Sequence, residues 1–187
     1  MSGAVTFPSG GPADALTYLV ATQTFVVDLD FETADGWTDT VENSALDDGQ
    51  WDRGVPANGG RGDPFADFDG SGQCWVTDNV AGNSDVDGGP TILTSPVYDL
   101  SGTPDAQLSY ARWFTNDDQD VDRLDVEVST NGGASWTTIE SVGDTAGWVK
   151  RTWNLADFGP VTSQMRFRFL ATDTPNASVT EAGVDAI

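Results

Sequence analysis

The clearest alternation of apolar and polar positions lies in residues 123–129, where Leu124, Val126 and Val128 alternate with Asp125, Glu127 and Ser129. A period of two predicts a half-buried β-strand. Residues 136–142 return after Asn131-Gly132-Gly133, a turn sequence that makes the two runs a hairpin. Residues 164–171 alternate again, with Met165, Phe167 and Phe169 inward and Arg166 and Arg168 outward. In residues 106–114, Leu108, Tyr110, Arg112 and Phe114 share one face, while Ser109, Ala111 and Trp113 share the other. Residues 24–31, 37–43, 50–53, 74–77, 91–97, 148–154 and 179–187 are further strand candidates, and Leu155–Phe158 suits one helical turn. Many short strands punctuated by Gly, Asn and Asp predict an all-β protein, and at this length a two-sheet antiparallel jelly-roll β-sandwich. Residues 1–23 are weakly patterned and read as a linker or the tail of a preceding domain, which leaves 24–187 as the folded unit.

Composition supports this. The 187 residues include seven Trp and nine Phe, enough aromatic volume for a full core. Lys occurs once, at Lys150, and Asp outnumbers Glu by 25 to 5. The net charge of -22 argues against nucleic acid, whose phosphates need Lys and Arg, and against an anionic membrane surface. No run reaches transmembrane length, so membrane insertion is not expected. The absence of His removes a Ser-His-Asp triad and a His-ligated zinc site. Cys74 is alone and sits in an apolar run, as an inert buried thiol does. The first residues lack a basic and then apolar leader, so an exported protein would carry its signal outside this chain.

The acidic surplus changes the picture most between residues 59 and 89. Two glycine-rich loops flank the short run Cys74–Thr77 and carry Asp63, Asp67, Asp69, Asp78, Asp85 and Asp87, with amide oxygens from Asn79 and Asn83. Loops of this length need a reason to be ordered, and hard oxygen ligands on flexible backbone suit Ca2+. The bland alternative is acidic charge that serves solubility.

The chain ends carry a second acidic pair: Asp28-Leu29-Asp30-Phe31-Glu32 before Gly36-Trp37, and Glu181-Ala182-Gly183-Val184-Asp185-Ala186-Ile187. First and last strands of an antiparallel sandwich often pair, so carboxylates on both would meet across one ion. This Phe-Glu…Gly-Trp and Val-Asp-x-Ile pattern resembles jelly-roll carbohydrate-binding modules and related adhesin-type and MAM-like domains. The resemblance implies a structural Ca2+ held by Glu32 and Asp185, with Asp30 beside them. The middle, from Asp67-Phe68-Asp69-Gly70 through Leu93-Thr94-Ser95-Pro96, is similar to C-terminal sandwich domains of large secreted bacterial proteins, including those beside immune inhibitor A-type metallopeptidases. No catalytic zinc motif accompanies it, so peptidase activity does not carry over. A second ion through Asp67, Asp69, Asp85 and Asp87, with Asp78 nearby, is the expectation for the loops.

Other motifs have narrower meanings. Ser129 to Trp136 fits the Asp-box pattern, read as a structural hairpin turn. Arg61-Gly62-Asp63 is an adhesion-type tripeptide that also recurs by chance. Trp37, Trp136 and Trp148 begin strands and cap the sandwich. Trp75 and Trp113, with Arg112 and Asn116, are the candidates for a glycan platform, because flat aromatic rings stack on sugar faces. No catalytic residue is selected. The sequence thus supports a calcium-stabilised, non-catalytic binding module of a secreted bacterial protein, part of a larger polypeptide, with a glycan or polysaccharide as ligand. A structural or cell-surface adhesion module and a small calcium-dependent hydrolase of esters, lactones or glycosides are the alternatives.

Overall fold

A computed structural model describes residues 23–40, 45–82, 84–118, 121–145, 147–175 and 177–187. The described strands are β1 (Thr38–Asp39), β2 (Leu46–Asp48), β3 (Trp51–Gly54), β4 (Cys74–Thr77), β5 (Asp87–Thr94), β6 (Gln107–Asn116), β7 (Leu124–Ser129), β8 (Thr137–Val142), β9 (Val149–Asn154), β10 (Arg166–Asp173) and β11 (Thr180–Asp185). The expected helical turn, Leu155–Phe158, is a 3-10 turn. The first sheet runs β1-β5-β10-β7-β8, with β2 also paired to β5, and the second runs β3-β4-β11-β6-β9. Every named strand pair is antiparallel.

The period-two runs decide how the sheets face each other. Val126 on β7 lies opposite Phe169 on β10, and both are fully buried. From the second sheet come Tyr110, Phe114, Ala182 and Val184, also fully buried. The Tyr110 and Phe169 rings meet edge to face across the core at 5.1 Å, and Trp37 lies 5.9 Å from Phe169. Edge-to-face contacts of this kind add to plain area burial.

Four expectations change. Residues 24–31 do not form a strand: Phe25 and Val26 stay exposed, Phe31 turns at a left-handed φ of 54°, and pairing shrinks to reciprocal bonds between Leu29 and Ile187, at 2.7 and 3.1 Å. The expected pairing of first and last segments therefore survives as one residue pair. In the run 37–43, Thr38–Asp39 forms β1 while Trp37 and Thr40 are not strand, and residues 41–44 lie outside the described residues, as do residues 1–22 and Asn83. The strand expected over 91–97 starts earlier, at Asp87, because Asp87-Gly88-Gly89 hides it from a hydrophobic pattern. The polar β2, Leu-Asp-Asp, is likewise invisible to such a pattern.

Arg112 takes the inward face that its alternation assigns, and it is buried. Its Nη2 pairs with Glu140 on β8 at 2.9 Å, where Arg151 Nε reaches the same Oε1 at 3.1 Å. The Tyr110 hydroxyl donates to the other Glu140 oxygen at 2.6 Å. One charged knot thus ties the second sheet to the first.

Candidate metal centre and the groove beside it

Strand alternation fixes the geometry of the site. On β11, Ala182 and Val184 point into the core, so Glu181, Gly183 and Asp185 point to the outer face of the second sheet. That face is not open. The loop between β3 and β4 lies across it, and all six β11 residues are buried.

Indole and hydroxyl groups hold the loop down. Trp113 Nε1 and Thr115 Oγ1 both donate to the Gly62 carbonyl, at 2.7 and 2.9 Å. Trp148 Nε1 donates to the Ala66 carbonyl at 2.9 Å, and Phe68 packs against the Trp148 ring at 6.2 Å. The Phe68 amide donates to Asp185 Oδ2 at 2.8 Å.

This last contact lies within a carboxylate cluster. Ligand oxygens of Asp67, Asp69 and Asp185 lie within 4.8 Å of one another. Asp67 accepts from the Gly72 amide at 3.0 Å, and Asp69 accepts from the Ser71 amide at 2.8 Å. Asp185 is fully buried. Burial, with the nearby charge of Asp69 adding to it, pushes its carboxyl up to about 6. Burial works against Asp69 as well, but hydrogen bonding from Ser71 outweighs it and holds that group below the usual carboxylate range. The described ion pairs lie elsewhere, on Asp85, Glu140 and Glu127. Three carboxylates gathered without a basic partner form a hard oxygen donor set that fits Ca2+.

Glu32 and Asp30 border this cluster. Glu32 accepts from the Gln73 amide at 2.7 Å and from the Gln73 side chain at 3.1 Å, and Gly72 packs close to its Oε1. The Asp30 side chain accepts from the Glu32 amide, and its carbonyl accepts from Ser71 Oγ at 3.2 Å. Both chain segments enter through left-handed residues, Phe31 and Ala186, with φ of 54° and 52°. Such backbone costs about 1–2 kcal/mol per non-glycine residue and persists where surrounding structure demands it.

The other predicted residues are dispersed. Asp85 is buried and pairs with Arg61 at 3.0 Å; burial still raises its carboxyl above the ordinary range. Asp87 begins β5 in the opposite sheet, beside Asp48. Asp78 turns at a left-handed φ of 38°, with burial and then the charges of Asp48, Asp52 and Asp85 raising its carboxyl. The expected quartet of Asp67, Asp69, Asp85 and Asp87 is therefore split, and its first half joins Asp185. Asn79 holds residues 55–57 through its side chain, at 2.7 and 3.0 Å.

The four platform candidates do not share an exposed face. Trp75 is buried in the core, and Arg112 is consumed by Glu140. Asn116 is buried, donating to Asp122 at 2.7 Å and Thr180 at 2.8 Å. Trp113 lies on the outer face, where its indole anchors the loop and its ring meets Trp148 at 5.8 Å. Alternation gives the parity of a side chain, but not which face a loop will cover.

The Arg-Gly-Asp tripeptide is part of that covering loop: Arg61 pairs with Asp85, and Asp63 accepts from the amides of Gly59 and Arg61. The Asp-box behaves as a hairpin turn, with Asn131 Oδ1 accepting from the Ser135 amide at 2.9 Å and Arg168 stacked on Trp136 at 4.3 Å. Among carboxylate pairs, Asp122 and Asp173 are both buried and share Ser178, so they are closed to a substrate; burial, with help from Asp122, lifts Asp173 to about 6.

A groove of about 1180 Å³ lies beside the carboxylate cluster. Gln107 and Ser109 of β6 and Lys150 and Thr152 of β9 line one side, residues 23–30 line the other, and Asp69 and Ile187 stand where it meets the cluster. Lys150 is the chain's single lysine. Sequence reasoning missed these residues; the outward positions of β6 and β9 pair Ser109 with Thr152 and Ala111 with Lys150, a small and polar strip that the alternation did encode.

No protein-family model matches the sequence, and no curated protein matches it. Solved structures do. The K3 cleaved adhesin domain of Lys-gingipain from Porphyromonas gingivalis is similar at a TM-score of 0.54 and 15% identity, over 86% of this chain and 94% of that one. CBM27-1 of Caldicellulosiruptor saccharolyticus, solved with mannohexaose, is similar at a TM-score of 0.47 and 15% identity, over 86% and 93%. TmCBM61, solved with β-1,4-galactotriose, gives 0.44 and 10%, over 84% and 94%. This chain is similar in fold to the adhesin domain: a two-sheet antiparallel β-sandwich, as the strand pattern predicts. No described helix is long and apolar enough to cross a membrane.

Proposed function

We propose that this domain is a calcium-stabilised, non-catalytic binding module of an exported bacterial protein, and that its ligand is an uncharged polysaccharide. The groove carries this reading. Its size exceeds what a single small molecule fills, and it is lined by hydroxyl, amide and carboxylate groups with apolar patches between them, as an extended sugar chain requires. Asp28, Asp30, Asp69 and Asp105 face one lysine there, a balance that favours a neutral chain over an anionic one.

Calcium is the second part of the proposal. Asp67, Asp69 and Asp185 would hold it, with Asp30 and Glu32 alongside. The ion would offset the desolvation of Asp185 and stiffen residues 67–72, of which Asp69 lines the groove. The three carboxylates are legible as ligands by their chemistry, and Ca2+ is preferred to Mg2+ because an irregular set of loop oxygens suits the larger, more tolerant ion.

Native affinity electrophoresis tests the ligand. Gels containing mannan, galactan or xylan are expected to retard the protein, and gels containing alginate or pectate are expected to leave it unretarded. Free migration through every neutral polysaccharide would overturn the glycan reading.

A further inference from the structure

Four residues before Asp185 on β11 lies Glu181, fully enclosed, with 0% exposure. Its Oε2 accepts from Thr77 Oγ1 at 2.7 Å. Its Oε1 has no hydrogen-bond partner. A buried carboxylate oxygen left unsatisfied is costly, and native proteins rarely keep one without a reason.

A second buried oxygen is also without a partner. Ser84 is 1% exposed, and its Oγ makes no hydrogen bond. The Val86 amide donates to the Thr180 carbonyl at 2.9 Å, which fixes the segment after Ser84 alongside the start of β11. Ser84 Oγ also converges with two other oxygens. A Cβ placed on Gly59 would lie 2.9 Å from Ser84 Oγ, 3.3 Å from the Val80 carbonyl and 3.4 Å from Asp63 Oδ2. Only glycine lets these three oxygens gather so closely around residue 59. Thr115, the register partner of Glu181 on β6, donates to the Gly62 carbonyl, so the loop next to Asp63 lies over Glu181. The basic group of this loop, Arg61, is engaged by Asp85.

We propose that the enclosed space between Glu181, Ser84 and Asp63 is a second divalent-cation site, with Glu181 Oε1 as its buried anionic ligand and Asp63 Oδ2, Ser84 Oγ and the Val80 carbonyl as further oxygen donors. Among the described residues, only Asp67, Asp69 and Asp185 gather three carboxylates within 4.8 Å. The second site therefore draws more on hydroxyl and carbonyl oxygens, a set that Ca2+ accepts and Mg2+ fits poorly. Four residues of strand separate it from the first by about 14 Å. The two ions would pin the covering loop at its two ends, with Arg61–Asp63 at one and Asp67–Asp69 at the other. This site is independent of the one at Asp185 and of the groove.

Calcium counting on the full chain separates the cases. After EDTA treatment, isothermal titration with Ca2+ is expected to give two ions per wild-type chain, one for Glu181→Gln and one for Asp185→Asn. An unchanged count and unchanged affinities in Glu181→Gln would overturn the second site. A single wild-type ion lost only in Asp185→Asn would also overturn it and leave the first site standing. A single ion lost only in Glu181→Gln would support the second site and remove the first. Should Glu181→Gln lack the wild-type circular dichroism spectrum, Ser84→Ala is titrated instead. One affinity is expected to weaken by about tenfold or more while the other holds; two unchanged affinities would overturn the proposal.

Discussion

The backbone amide of Phe68 donates to Oδ2 of Asp185 at 2.8 Å, a contact between residues 117 positions apart. It makes one carboxylate of the Asp67-Asp69-Asp185 cluster the acceptor of a loop amide, so the order of the loop and the state of that carboxylate are linked.

The first consequence concerns metal and stability. Ca2+ that binds only the folded chain stabilises it by about 2.7 kcal/mol at a hundredfold excess over its Kd. For a domain of this size that raises Tm by about 5–10 °C. The Asp185→Asn chain is expected to lose most of that rise while melting near the metal-free wild type. Differential scanning fluorimetry with EDTA and with millimolar Ca2+ checks both.

A pH trend follows from the same burial. Asp185 is raised from an ordinary 3.8 to about 6, and Glu181 from 4.5 to about 9, in each case mainly by burial. Groups whose folded pKa is raised stabilise most below their unfolded values and lose that contribution as pH rises through the folded ones. Metal-free protein should therefore be more stable near pH 5 than near pH 8, with the loss from Asp185 spread between about 4 and 6 and that from Glu181 between about 4.5 and 9. Saturating Ca2+ should flatten the trend. Urea midpoints at fixed ionic strength measure it; a metal-free chain more stable at pH 8 would contradict it.

The knot around Glu140 should be sensitive to one change more than another. Glu140→Ala strands a buried Arg112 and removes the acceptor of Tyr110, for a loss of about 3–5 kcal/mol in urea unfolding. Arg112→Met should cost less, because Arg112 already leaves Nε and Nη1 buried without partners.

Gly183 reports on the covering loop. A Cβ there would meet the Trp148 ring at 2.9 Å and Trp113 Cβ at 3.3 Å. Gly183→Ala is expected to displace the indole that holds Ala66, to cost about 1–3 kcal/mol, and to shift tryptophan emission to the red.

In the groove, Lys150→Ala and Gln107→Ala are expected to weaken retardation by neutral polysaccharide several-fold with Tm held within about 2 °C, since surface changes rarely move stability by more than ~0.5 kcal/mol. Retardation unchanged in both would move the ligand elsewhere.

How much of this the sequence carried depends on the kind of pattern. β6, β7 and β10 were legible because their apolar residues alternate and meet a core that rewards alternation. β2 and the start of β5 were not, being polar or glycine-rich. Asp67, Asp69 and Asp185 were all legible as oxygen ligands, but their grouping was not. Neighbours in sequence suggested Asp85 and Asp87 as partners, whereas β4 carries the chain across the sheet between the two halves. Trp113 shows the same limit: parity put it on the outer face, and only the placement of Gly62 and Ala66 revealed that the indoles there hold a loop.

The placement of both carboxylates on β11 has a bearing on biosynthesis. The ribosome makes residues 59–72 more than a hundred residues before the strand that receives them. Through that interval the acidic loop has nowhere to dock, and its charges repel one another. Neither proposed cation site can form until β11 slots between β4 and β6, so metal affinity would arise in one late step. A chain that crosses a membrane unfolded would complete that step on the far side, where the calcium supply would set when the loop closes.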